Sequence, residues 1–142
     1  PEASGSIHEG RTWIVEISDD QARLVYGTPQ TDDVALMMRC SPGSGAVAIS
    51  FTRSQAQPVD RWPFTLIAGR ARATYDGTAT PTELGENAVS VSATVPVVSD
   101  PLLAFRDASS LILEESGRST TMPINPERRG EIDRFFSACR SN

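Results

Sequence analysis

The two cysteines have the most specific chemistry that this sequence offers. Cys40 ends an apolar segment in the first third of the chain, and Cys139 lies in a predicted helix near the end. A disulfide, two buried free thiols and a reactive thiol are the alternatives. No histidine is near either cysteine to activate it, and Cys-x-x-Cys spacing is absent. We therefore expect a Cys40–Cys139 disulfide, which is typical of the periplasm or the extracellular space.

Ionisable groups with catalytic or metal-binding spacing are scarce. His8 is the only histidine, and a lone histidine cannot provide a multi-histidine metal site. The acid pairs Asp19-Asp20 and Asp32-Asp33 lack the ligand spacing of a calcium loop, so turn capping is the better interpretation. We expect no metal, no cofactor and no assigned catalytic residue, although two carboxylates from distant strands can still form a glycosidase-like pair.

Adjacent arginines and a glycine-flanked serine suggest anion chemistry. Arg128 and Arg129 lie in the first turn of a predicted helix, where they oppose the helix dipole, and arginines bind carboxylates or phosphates bidentately. They are a candidate anion site, with solvated surface charge as the alternative. Ser44 lies between two glycines, but a strand follows it and the chain has no lysine. A hairpin turn is therefore expected there, not a nucleophile elbow or a phosphate loop.

The segment 26–33 is the first candidate for a binding face. It contains more turn-forming residues than a simple connection between two strands requires. A rigid structural turn, in which an aspartate accepts hydrogen bonds from backbone amides, is the alternative. The candidate binding residues are Tyr26, Gly27, Pro29, Thr31, Asp32 and Asp33.

The composition indicates one globular domain. The chain has 142 residues, 39% of them hydrophobic, and no apolar run approaches the ~20 residues that span a bilayer. The formal net charge is −5, and all 13 basic residues are arginine. This acidic balance argues against a nucleic-acid or anionic-membrane partner. Because the sequence starts at Pro1, we expect that a leader was removed or that the sequence was trimmed, and we expect residues 1–10 to be flexible.

Short segments with a period of two dominate the sequence. In 88–97, valine and alanine alternate with serine and threonine, and 46–52 shows the same alternation. The segment 70–75 is predicted as an exposed or edge strand. The stretches 53–63 and 76–86 are predicted as a polar linker and an irregular loop, although the Asp-Gly step in the latter can close a hairpin. Further strands are predicted at 12–17, 22–26, 34–40, 64–68, 111–115 and 119–124.

A C-terminal helix over 126–140 completes the predicted elements, after a short helical stretch within 99–107. Asn125 is predicted as its cap and Pro126 as its first residue. The apolar stripe of this helix consists of Ile132, Phe135, Phe136 and Cys139. The strands are too closely spaced for βαβ crossovers. We therefore predict a mainly β domain over 11–142, an antiparallel barrel or two-sheet sandwich of eight or nine short strands with a C-terminal α-helix tied by the disulfide.

Segments at both ends of the chain resemble known exported proteins. The segments 24–33, 40–45 and 135–139 resemble small uncharacterised exported proteins of Gram-negative bacteria, which carry a Tyr-Gly-x-Pro-x-Ser/Thr-Asp-Asp motif and a terminal aromatic-x-x-Cys. A weaker likeness, over 40–51 and 66–69, is to membrane-bound-type lysozyme inhibitors, which are small periplasmic β-barrels. The first resemblance implies no assigned activity. The Ser-Gly-x-x-Tyr loop of the inhibitors is absent, so no site residue is carried over from them.

These observations favour a non-enzymatic exported domain that binds a protein or a cell-envelope component. A periplasmic inhibitor of a lysozyme-type enzyme is the first alternative. A carboxylate-dependent hydrolase is the second, and it requires a cleft that holds two acids about 5–10 Å apart. The expected location is periplasmic or secreted, because the disulfide and the first resemblance both point there.

Overall fold

The residues that the structure describes form nine strands and two α-helices. The computed structural model describes residues 11–28, 34–54, 56–82, 88–105 and 107–140, and the predicted flexible segment 1–10 lies outside them. The helices are α1 (Asp100–Phe105) and α2 (Arg129–Cys139). The strands are β1 (Thr12–Ile17), β2 (Ala22–Gly27), β3 (Val34–Cys40), β4 (Ala46–Ser54), β5 (Val59–Ala68), β6 (Ala71–Pro81), β7 (Ala88–Pro96), β8 (Ser110–Glu115) and β9 (Arg118–Pro123).

All nine strands belong to one antiparallel sheet that curls into a half-barrel. Their order across the sheet is β1-β2-β3-β4-β7-β6-β5-β8-β9. The predicted mainly β, antiparallel fold with a C-terminal helix is therefore confirmed. The sheet is a single curled layer, so the two-sheet sandwich is not the form that this chain adopts.

The C-terminal helix begins with a 3₁₀ turn, Pro126–Arg128, and continues as α2. Pro126 occupies the first helical position as predicted, but the Asn125 side chain makes no capping hydrogen bond. The predicted apolar stripe of α2 is buried, which explains how this short helix is held in place. Among the described residues, no helix combines the length and the apolar character that crossing a membrane requires.

The core lies on the concave side of the sheet, where both helices pack. In the central strands, inward-pointing side chains alternate with outward-pointing ones, and in β4 the inward-pointing Val47, Ile49 and Phe51 are buried. Helix α1 packs on β5 and β6, and α2 packs on β1 and β2. The Phe105 ring of α1 lies 5.0 Å from the Trp13 ring and 5.5 Å from the Phe136 ring, measured between centroids. One aromatic cluster therefore joins both helices to the first strand.

Helix α1 is the connection that carries the chain from β7 to β8 across the core. It is needed because β8 pairs with β5, on the far side of β6 from β7. The Tyr75 hydroxyl forms a hydrogen bond with the Ser99 hydroxyl just before α1. Burial raises the pKa of the Tyr75 phenol, the hydrogen bond from Ser99 opposes that rise, and the nearby Asp100 charge adds to it.

The first and the last strand meet although they are the opposite edges of the sheet. The Trp13 indole Nε1 of β1 donates a hydrogen bond to the Pro123 carbonyl oxygen of β9 at 2.9 Å. Eight strand steps separate β1 from β9, which is about 38 Å in a flat sheet at roughly 4.8 Å per step. The curl of the sheet therefore brings its two edges together at this end.

Parts of the two stretches predicted as irregular, 53–63 and 76–86, are strands in the structure. β5 begins at Val59, inside the predicted linker, and β6 continues through Asp76-Gly77 to Pro81. A Cβ atom at Gly77 would lie 2.8 Å from Val91 Cγ1 and 3.0 Å from the Trp62 carbonyl oxygen, so only glycine fits. The glycine here serves close strand packing and not a turn.

Of the two alternatives predicted for 70–75, an exposed strand or an edge strand, the structure shows an exposed strand that is not at an edge, because β6 pairs with both β5 and β7. Its exposed side chains lie on the outer, solvated face of the antiparallel sheet. An interior antiparallel strand with one solvated face shows the same polar alternation as an edge strand.

Candidate binding site

The predicted disulfide between Cys40 and Cys139 is confirmed, with 5.7 Å between the two Cα atoms. The turn after Cys40 is tied to the end of α2 as well. The Gly43 amide donates to the Ala138 carbonyl oxygen at 2.8 Å, and the Gly45 amide donates to the Cys139 carbonyl oxygen at 2.7 Å. Both carbonyls belong to the last helical turn and lack a partner within the helix. The turn amides thus cap a helix, and the turn joins β3 to β4 as predicted.

The predicted binding loop 26–33 is only partly among the described residues. The Tyr26 ring is buried and packs against the Trp13 ring at a centroid distance of 4.9 Å. Gly27 ends β2, opposite Thr12 of β1 and Val34 of β3. The remaining candidates lie outside the described residues, so the binding loop stays a prediction; they are Pro29, Thr31, Asp32 and Asp33.

The predicted anion site at the start of the C-terminal helix has protein partners in this structure. The Arg128 Nη1 atom lies 3.0 Å from Glu131 Oε2, and Arg129 Nη2 donates to the Ala108 carbonyl oxygen at 2.8 Å. The Arg129 hydrogen bond attaches the helix to the segment that follows α1, whereas the Arg128–Glu131 pair lies within the helical segment itself. Anion binding by Arg128 and Arg129 stays a prediction.

Glu115, the last residue of β8, is the one buried charged residue in the part of the chain that the structure describes. Its Oε2 atom lies 2.6 Å from Nε and 2.5 Å from Nη2 of Arg53, and its Oε1 atom accepts a hydrogen bond from Trp62 Nε1 at 3.0 Å. The Arg53 guanidinium also lies 4.7 Å from the centroid of the Phe51 ring. A buried carboxylate is tolerated when it is paired and hydrogen-bonded in this way.

The Arg53–Glu115 ion pair crosses the concave side of the half-barrel. Arg53 belongs to β4 and Glu115 to β8, and β7, β6 and β5 lie between these strands in the sheet. Four strand steps correspond to about 19 Å in a flat sheet, so the pair forms only because the sheet curls. The ion pair holds the end of β8 against β4 at the rim of the half-barrel. The β8–β9 turn extends from this rim.

The β8–β9 connection is a two-residue turn, Ser116-Gly117. Both residues have positive φ, 50° and 77°, as a type I′ hairpin turn requires. Glu115 and Arg118 flank this turn and pair with each other. In such a hairpin the flanking pair exchanges backbone hydrogen bonds, and every second pair along the strands does the same.

The backbone groups of Ser119 and Thr121 therefore point away from β8. β9 is the last strand of the sheet, and no described strand pairs with its outer edge. At the far end of that edge, Pro123 has no amide, and its carbonyl accepts the Trp13 bond. What remains is a short edge with no charged residue between Arg118 and Pro123, and such an edge can accept another strand.

A depression of about 390 Å³, lined by both polar and apolar residues, borders this edge. On the outer face of β5 and β6, the Thr65 and Thr74 hydroxyls are 2.7 Å apart, and beside them Glu114 lies 3.5 Å from Arg72. The depression is lined by Pro63, Phe64, Thr65, Thr74, Glu114, Glu115, Ser116, Gly117, Arg118 and Ser119. We call the depression together with the outer edge of β9 the β9 face.

The β9 face carries a local positive charge on an acidic protein. Glu115 is neutralised by Arg53, and Glu114 is paired with Arg72. Arg118 is exposed, and none of the described residues forms an ion pair with it. Arg118 is therefore the arginine of this face that no described carboxylate neutralises.

Paired carboxylates for hydrolysis do not face each other in this depression. Glu114 and Glu115 are successive residues of β8, and successive side chains of a strand point to opposite faces. Glu115 is also held by Arg53 and Trp62. Among the described residues, no three His, Cys, Asp or Glu side chains are grouped so that they could hold a metal ion.

Comparison with known proteins found no relative of this chain. No family model, no curated protein and no solved structure matches this chain. The β9 face therefore rests on geometry alone. Sequence reasoning found the Ser116-Gly117 turn, but it did not find the open edge, because the order of strands in the sheet decides which strand is last.

Proline substitutions at neighbouring positions of β9 test which backbone groups are free. Thr121→Pro removes an amide that points away from β8, so we expect the free energy of unfolding to change by less than about 1 kcal/mol. Thr120→Pro removes an amide that bonds to Leu113 of β8 and leaves its carbonyl unpaired, at a cost of about 1–3 kcal/mol or more. Urea denaturation of both variants measures the difference. Equal losses for the two variants would contradict the assigned hydrogen-bond pattern.

Proposed function

We propose that this protein is a non-enzymatic exported domain that binds a protein or a cell-envelope component through the β9 face. The observation that supports this proposal most is the outer edge of β9, where the backbone groups of Ser119 and Thr121 pair with no strand of the described part of the chain and lie beside a depression. The buried Glu115 ion pair holds the base of this hairpin rigid, which reduces the entropy lost on binding.

The Cys40–Cys139 disulfide supports the exported location. Disulfides form and persist in the periplasm and outside the cell, and the reducing cytosol keeps thiols free. The domain would thus meet envelope components or secreted proteins.

The test is capture of envelope components by the oxidised protein on a solid support. Wild type is compared with Thr121→Pro, which blocks the β9 edge, and with Ile17→Pro, which makes the matched change at the opposite edge. Ile17 belongs to β1 next to the turn closed by the Ser18–Gln21 hydrogen bond, so its amide also points away from its neighbouring strand.

We expect wild type and Ile17→Pro to retain the same components from a bacterial envelope extract, and Thr121→Pro to lose them. Identical retention by all three proteins, or no specific retention by wild type, would refute the proposal. Circular dichroism and urea denaturation confirm that each variant is folded before it is used.

Inhibition of a lysozyme-type enzyme is a second candidate function. The position of the β8–β9 turn at the rim of the half-barrel favours it. The Ser116-Gly117 turn extends from a rim fixed by an ion pair, which suits insertion into an enzyme cleft. We expect such an inhibitor to reduce lysozyme activity at micromolar concentration. Undiminished activity would remove this candidate without affecting the first one.

A further inference from the structure

We propose that the β9 edge binds an extended peptide as a tenth strand and that Arg118 binds a carboxylate of that peptide. This inference rests on the proposed function and adds the chemical class of the ligand. A side-chain carboxylate and a C-terminal carboxylate present the same group, so both are ligands of the kind meant here.

The backbone of β9 provides the first part of the recognition. Ser119 and Thr121 each offer one amide and one carbonyl to a neighbouring strand, and the strand between Arg118 and Pro123 carries no other charge. Addition of a strand to an open edge is a common mode of peptide recognition, in which backbone hydrogen bonds give affinity and side-chain sites give specificity.

The charges around the depression provide the second part. Arg53 and Arg72 are engaged with glutamates, whereas Arg118 has no ion-pair partner among the described residues. A whole-protein net charge of −5 opposes the approach of an acidic ligand, so a free arginine at the edge is the group that would select one. Arginine binds carboxylates with two parallel hydrogen bonds.

The direction of the peptide follows from these positions. Arg118 begins β9, directly after the Ser116-Gly117 turn. A peptide that runs antiparallel to β9 ends beside Arg118, so its last residues bring a carboxylate to the guanidinium. Antiparallel pairing also matches every other neighbour relation in this sheet.

A synthetic octapeptide library tests the inference. The peptides are randomised at alternate positions and are made in four sets that differ at the C-terminus. The last residue is Glu amide in the first set, Gln amide in the second, Gly amide in the third, and Gly with a free carboxylate in the fourth. The first and fourth ends distinguish a side-chain carboxylate from a terminal one. Binding is measured with wild type, Arg118→Gln, Thr121→Pro and Ile17→Pro.

We expect wild type to bind peptides with at least one kind of carboxylate end about tenfold more tightly than the matched amides. Arg118→Gln should remove this preference and keep the weaker binding, because Arg118 is exposed and its replacement leaves the edge intact. Thr121→Pro should remove binding of all peptides, and Ile17→Pro should change nothing.

Three results overturn the inference. The first is equal affinity for carboxylate and amide ends, or no binding at about 1 mM peptide. The second is unchanged peptide binding by Thr121→Pro. The third is a wild-type dimer in light scattering that Thr121→Pro abolishes, since a second copy of the chain would then occupy the edge.

The proposed function and the proposed ligand class can be refuted independently of each other. If Thr121→Pro loses envelope components but the library shows no carboxylate preference, the binding function stands and the ligand class is wrong. If Thr121→Pro captures the same components as wild type, the proposed use of the β9 face is wrong.

Discussion

Replacement of Glu115 by alanine is expected to lower the free energy of unfolding by about 3–5 kcal/mol. The Glu115 side chain is 1% exposed and the Arg53 side chain 16% exposed, so the substitution leaves a mostly buried guanidinium without its counter-charge. It also removes the acceptor of the Trp62 indole bond. Urea denaturation at neutral pH measures the loss.

Two comparisons identify the cause of that loss. Asp76→Ala removes the partner of Arg61 from an exposed ion pair, with side chains 74% and 60% exposed, and should cost about 0–1 kcal/mol. The double variant Arg53→Met with Glu115→Leu removes both buried charges together and should recover most of the stability. A loss below about 1 kcal/mol for Glu115→Ala would show that the pair does not hold the rim.

Removal of the disulfide by Cys40→Ala with Cys139→Ala is expected to lower the free energy of unfolding by about 2–5 kcal/mol. The bond closes a loop with a sequence separation of 99, so it restricts the unfolded chain strongly. The fold itself should persist, since the Gly43 and Gly45 amides still bond to the end of α2. Wild type treated with a reductant should show the same loss in urea denaturation.

Hydrogen exchange shows where in the structure this loss is felt. Amides of the β5–β6 pair that exchange through global unfolding should exchange faster in the double variant only by the factor that the lower free energy of unfolding gives. Because Cys139 ends α2, amides in the last turn of α2 should also open locally and lose protection under native conditions. Unchanged protection in the last turn of α2, or a free energy of unfolding within about 1 kcal/mol of wild type, would contradict the expected role of the bond.

Patterns that depend on neighbouring residues were predictable from the sequence. The strands at 12–17 and 34–40 have the predicted bounds. The strand preference of their β-branched and alternating residues agrees with the positions that these segments take in the sheet. The apolar stripe of α2 and the position of Pro126 were predicted for the same reason. The cysteine pairing followed from the count of two.

Contacts between distant segments were not predictable from the sequence. Arg53, Trp62 and Glu115 come from three separate strands, and two of them fall in the stretch predicted as a linker. Asp76-Gly77 has the sequence of a turn, but the space between Trp62 and Val91 decides its use. The alternation of apolar and polar residues along a strand carries no information about such steric constraints.

One part of the candidate site, the turn, was predictable from the sequence, and the other part, the open edge, was not, for a related reason. Ser116-Gly117-Arg118 was predicted as a hairpin turn, and the structure confirms it. Whether the strand after a turn is paired on its other side depends on sheet order, which the return of β8 to β5 determines. The binding loop at 26–33 was selected on composition alone and stays a prediction.

The pairing of early residues with late ones sets the order in which this chain can fold. Trp13 and Cys40 find their partners only at Pro123 and Cys139, so the hairpins made first cannot be locked until the end of the sequence has arrived. Contacts of such long range make folding slow. During synthesis the first hairpins therefore lack these two contacts until the last helix has been made.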